Sequence, residues 1–88
     1  MFVRVYPVIT GNNDFYTLSS NHQIINTDQI ISIKCICDQP KTRMVIHQTR
    51  IEKIFDTKFE NLRIYRIVFS NNTIQDVIGP KSNYEHIK

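Results

Sequence analysis

The chain contains no alanine, and it has only two glycines and two cysteines. Alanine is the strongest helix former, so its absence removes the simplest basis for a helical bundle. Two glycines leave little backbone able to approach a phosphate closely, which argues against a nucleotide-binding loop. Cys35 and Cys37 are two positions apart and poorly placed to bridge each other within a flat strand, so no disulfide framework is expected. Apolar runs are far too short for a membrane span. The start, Met1 to Pro7, lacks the basic head and apolar block of a signal peptide. These absences predict a soluble, reduced, cytoplasmic protein with no membrane association.

Charge is also scarce. The 88 residues carry a formal net charge of +3, well below the density that marks a dedicated nucleic-acid surface. With 41% hydrophobic and 22% charged residues the composition is that of a folded domain. A chain of this size buries roughly 60–65% of its unfolded surface, which favours one small domain of modest stability.

What is abundant is β-branched. Fifteen isoleucines, six valines and seven threonines lean the chain toward sheet, where branched side chains pack well. In Ile30 to Cys37 the side chains alternate, with Ile31, Ile33, Cys35 and Cys37 on one wholly apolar face and Ser32 and Lys34 on the other. This run is predicted to be the central strand, both cysteines continuing its core face.

Hairpins are predicted on either side. Phe2 to Ile9 places Val3, Val5 and Ile9 on one face and Phe2, Arg4, Tyr6 and Val8 on the other. Pro7 donates no ladder bond, so this strand lies at an edge or carries a bulge. Gly11 to Asp14 turns it back into Phe15 to Leu18. Ser19 to Asp28 reads as loop or very short strand. After the central strand, Asp38 to Thr42 turns into a return strand, Arg43 to His47, with Met44 and Ile46 inward. Leu62 to Phe69 is apolar on both faces and requires cover above and below. Ser70 to Thr73 turns it into Thr73 to Ile78.

The stretch from Thr49 to Leu62 is favoured as a short helix. Ile51, Ile54, Phe55, Phe59 and Leu62 fall at helical spacing, and Thr49 with Glu52 fits a capping box. The predicted fold is therefore mainly β, or α+β if 49–61 is helical. It is a small antiparallel sheet of 5–6 strands in three hairpins, curled into a partly open barrel with at most one short helix. Residues 1–79 form the domain and 80–88 a flexible tail.

No catalytic constellation is legible. The serines lie in no nucleophile elbow, and no histidine–acid pair is indicated, so the protein is expected not to be an enzyme. His22, His47 and His86 are scattered and supply no second ligand pair for the cysteines; no metal and no cofactor are expected.

The informative constellation is arginine and lysine interleaved with tyrosine: Arg4 and Tyr6, Tyr16, Lys34, Arg43, and Arg63, Tyr65 and Arg66. Tyrosine and arginine are the residues enriched at protein-binding hot spots. They lead to a non-enzymatic module that binds a protein partner or itself, with a homodimer covering the second face of Leu62 to Phe69. Its short length fits an accessory protein, of the kind carried by a bacterial mobile element or phage. The alternative is a small nucleic-acid-binding barrel that stacks bases on tyrosines and holds phosphates with arginines.

Overall fold

The computed structural model describes residues 1–11, 15–19, 21–44 and 47–85. Six strands and two helices succeed one another as β1 (Phe2–Thr10), β2 (Tyr16–Leu18), β3 (Gln23–Asn26), β4 (Ile30–Cys37), α1 (Gln48–Phe55), β5 (Leu62–Phe69), β6 (Ile74–Pro80) and α2 (Lys81–Glu85). The sheet is antiparallel, in the order β2-β1-β6-β5-β4, with β3 also paired to β1. It is curled but not closed, as expected of a partly open barrel.

β2 and β3 lie end to end along β1, opposite Val8–Thr10 and Phe2–Val5 respectively. Their ladder is interrupted beside Pro7. The Pro7 carbonyl accepts from the Ser19 N–H at 2.9 Å, so the N side of Pro7 faces this same neighbour. Proline has no hydrogen to offer there, and the partner strand breaks where a donor is missing. β1 is thus interior, so the edge reading of Pro7 does not hold, and it is the facing strand that is broken there.

The first and third predicted hairpins are present. In the turn between β5 and β6, Asn72 adopts φ 68, the left-handed conformation asparagine tolerates. Among the described residues the second hairpin has no return strand. Pro40–Thr42 makes a 3-10 turn and Arg43 and Met44 lie outside any strand, so the chain leaves the sheet instead of returning along β4. β4 pairs with β5, and being last in the order it is an edge strand rather than the central one. The expectation for Ile46 lies outside the described residues.

β4 also departs from plain alternation. Its register against β5 shifts between Ile30 and Ser32 and again between Cys35 and Cys37. Each extra residue flips the succeeding side chains to the other face. Ile30, Ile33 and Cys35 consequently share one side with Phe69, Ile67 and Tyr65, whereas Cys37 stands opposite Ile64 on the other. The two cysteines do not share a core face as predicted. Cys35 is exposed and Cys37 half-buried, both as free thiols.

Two apolar clusters sandwich the sheet. On one side Val8, Met44, Ile51, Phe59, Leu62, Ile64 and Ile78 pack beneath α1. On the other, Val5, Ile25, Ile30, Tyr65, Ile67, Val77 and Tyr84 pack together, β3 and α2 supplying the cover. The two-sided β5 is covered on both faces from within the chain, so the second copy expected to cover Leu62 to Phe69 is not needed there. The helix expected over 49–61 is shorter: α1 stops at Asp56, which is left-handed (φ 50) and donates its N–H to the Glu52 carbonyl. His47 rather than Thr49 is the N-terminal cap. The Glu52 carboxylate instead accepts from the Phe59 N–H at 2.7 Å, fixing the 3-10 turn Phe59–Asn61. A second helix, α2, occupies the start of the predicted flexible tail, held by the buried ring of Tyr84. No helix among the described residues is long and apolar enough to cross a membrane.

Candidate binding face

The eight basic and tyrosine residues singled out in the sequence lie in three places. Arg4 and Tyr6 sit on the face of β1 that carries Val8, away from Val3, Val5 and Ile25; Tyr6 packs against the cluster beneath α1, whereas Arg4 is exposed. Arg4 stands directly opposite Ile24, with Phe2 one step along the same face. Phe2 is 70% exposed and Ile24 57%. The Tyr6 ring is half-buried, edge-on to Phe55 of α1 at 5.2 Å and tilted against His22 at 6.1 Å. The result is an apolar and aromatic strip, Phe2–Ile24–Tyr6–Phe55, with Arg4 among its members.

Lys34, Arg66, Tyr16 and Arg43 form a second, polar group. Lys34 is opposite Arg66 across β4–β5, and Arg66 is opposite Asp76 across β5–β6. Arg66 Nε and Nη2 donate to the two Asp76 carboxylate oxygens at 2.9 and 3.2 Å. Like charges directly opposite on a sheet repel, and this paired carboxylate offsets the repulsion between Lys34 and Arg66. The Tyr16 N–H donates to the Arg43 carbonyl at 2.8 Å, which brings β2 beside the segment after the 3-10 turn. Burial, then the negative charge of Cys37 and Asp76, pushes the Tyr16 phenol up, while Arg43 and Arg66 oppose the shift.

Arg63 and Tyr65 belong to the opposite face of β5. Arg63 stands across from Gly79, and Tyr65 is buried with its ring 4.7 Å from that of Tyr84. A phenol inside the core offers no platform for a base. The structure therefore divides the predicted tyrosine–arginine face: strand alternation separates Arg63 and Tyr65 from Arg66, and β1 carries Arg4 and Tyr6 elsewhere.

Phe2 and Ile24 are the residues that the sequence reading did not select. Phe2 was legible, since it alternates with Arg4 and Tyr6. Ile24 was not, because its segment reads as loop until β3 is seen paired to β1. Among the described residues no group of three or more His, Cys, Asp or Glu is placed to hold a metal ion. No protein-family model, curated protein or solved structure matches this chain.

Proposed function

We propose that this protein is a non-enzymatic binding module that acts through protein–protein contacts and associates with a second copy of itself through the outer face of the β1–β3 ribbon. The observation that carries the reading is the adjacent exposure of Phe2 and Ile24, large apolar side chains on a strip continuous with Tyr6 and Phe55. Burying one such side chain is worth about 1.5–3 kcal/mol. A two-fold axis through the strip uses each residue twice, which suits an isologous dimer. Arg4 and Tyr6 are residue types that anchor such interfaces.

Face-to-face contact is favoured over edge pairing. β4 carries two register shifts and Lys34, and the opposite edge is split into the short β2 and β3. Bulges, charge and short strands are the devices that blunt an edge. Free thiols at Cys35 and Cys37 suit a reducing, cytoplasmic setting.

Light scattering at low and high salt tests the reading. A dimer at both salts, converted to monomer by Phe2→Ser with Ile24→Ser, is expected. A wild-type monomer at about 100 μM, well above ordinary dimer dissociation constants, refutes it.

The gathering of Lys34, Arg43 and Arg66 near Tyr16 favours a second reading, nucleic-acid binding on that polar face. It requires heparin retention that collapses between low and moderate salt. The Asp76 carboxylate on Arg66 and the burial of Tyr65 weigh against it.

A further inference from the structure

The opening of the curled sheet lies between β3 and the β5–β6 turn. It is a shallow groove of about 340 Å³. Gln23, Asn26, Gln29, Asn71 and Gln75 line it, Ile25 and Phe69 supply apolar surface, and no ionised side chain is among the lining residues.

The backbone of β3 presents unused hydrogen-bonding groups to this groove. The Thr27 N–H donates to the Met1 carbonyl at 2.8 Å, which fixes Met1 and Thr27 as a hydrogen-bonded pair in the β1–β3 ladder. In an antiparallel ladder such pairs alternate with non-bonded ones. With Val3 opposite Ile25 and Val5 opposite Gln23, the odd-numbered residues of β3 direct N–H and C=O to β1. Ile24 and Asn26 direct theirs away, toward the groove. β3 pairs only with β1; the Asn26 carbonyl is taken up as the N-terminal cap of the 3-10 turn Thr27–Gln29, which leaves the Ile24 N–H and C=O and the Asn26 N–H on this edge.

We infer that this groove captures an extended, uncharged peptide segment of a partner protein, which adds to the edge of β3 as a further strand. The Ile24 N–H and C=O and the Asn26 N–H supply the ladder, as in other strand-addition sites. The amide side chains opposite can donate and accept toward the peptide's second edge, and Ile25 and Phe69 receive side chains from one of its faces. The absence of ionised groups selects an uncharged segment. The β5–β6 turn walls the groove on its far side. This site uses the backbone edge of β3 and shares the Ile24 side chain with the proposed self-association face.

The test uses the wild-type protein, labelled for capture on an array of seven-residue peptides built from Ser, Thr, Asn, Gln and Val. The tightest binder is then made in two forms, each N-methylated at alternate residues. One form should bind about tenfold or more weakly, because its methyl groups face β3, and the other should bind nearly unchanged. Amide NMR shifts on titration should centre on Ile24, Asn26, Asn71 and Thr73. Capture of no peptide, or equal binding by both methylated forms, overturns the inference. So does movement of the same amide signals by cellotetraose with no peptide effect, which would make the groove a saccharide site. Movement on self-dilution alone would assign it to a second copy and overturn the inference equally.

Discussion

Gly79→Ala is the substitution whose outcome depends most directly on how α2 is docked. Gly79 is buried in β6, opposite Arg63, and its φ is not positive, so the backbone accepts alanine. The obstacle is Tyr84: a Cβ at Gly79 would lie 2.9 Å from its Cε2, 3.2 Å from its Oη and 3.4 Å from its Cζ. The ring must move, and it is the group that holds α2 against the sheet. Overpacking of this kind costs about 1–3 kcal/mol, against a gain of roughly 0.5–1 kcal/mol from replacing a strand glycine. The expected net loss is about 1–2 kcal/mol, which urea denaturation would read as a midpoint about 1 M lower or more, given an m-value of order 1 kcal/mol/M for so small a domain. Repeating the substitution in a Tyr84→Ala background isolates the cause. There Gly79→Ala should be neutral or stabilising by up to about 1 kcal/mol. Equal losses in both backgrounds, or no loss in the wild type, would refute the argument that the ring and the glycine were fitted to each other.

Two other outcomes rest on contacts of Glu52 and Tyr84. Glu52→Ala should lower stability by about 1.5–3 kcal/mol, because the Phe59 N–H loses a charged acceptor, while Glu52→Gln should lose less; equal urea midpoints for the wild type and the alanine variant would contradict this. Burial, reinforced by the neighbouring Tyr65, pushes the Tyr84 phenol well above the ordinary tyrosine range. The folded chain then keeps a proton that the unfolded chain loses from about pH 10, so this contribution is intact below pH 10 and declines above it, by up to about 1.4 kcal/mol per pH unit. Urea titrations at several values from pH 9 to 11 should show a shallower decline in Tyr84→Phe, and an unchanged slope would count against the burial argument.

The elements legible in the sequence are those whose pattern is local. β5 and β6 announce themselves through two-sided apolarity and the Asn71–Asn72 turn, and α1 through the spacing of Ile51, Ile54 and Phe55. The features that were not legible depend on partners distant in sequence. Nothing local to Ile36 marks it as the extra residue that separates Cys35 from Cys37; the slip exists only against β5. The missing return strand has the same origin, since β4 satisfies its inner edge with β5 and leaves Arg43 and Met44 outside any strand. Of the candidate residues, Arg4 and Tyr6 were correctly placed together because they share one strand. Grouping Arg63 and Tyr65 with them failed on the burial of Tyr65, which required knowing that Tyr84 comes back to meet it.

The pairing of β1 with β6 imposes an order on synthesis. β1 emerges from the ribosome before the other strands, but one of its three neighbours is encoded about 70 residues later, with Tyr6 beside Ile78. At roughly 5–20 residues per second the nascent chain waits on the order of 4–15 s before that neighbour appears. Through that interval the hairpin of β1 with β2 and β3 stands without the rest of its sheet, and the side of Val5 and Ile25 destined for the core is open to water. Until β6 is made, the nascent chain exposes the kind of apolar surface that holding chaperones bind, and slowing translation just before Ile74 is expected to lengthen that exposure.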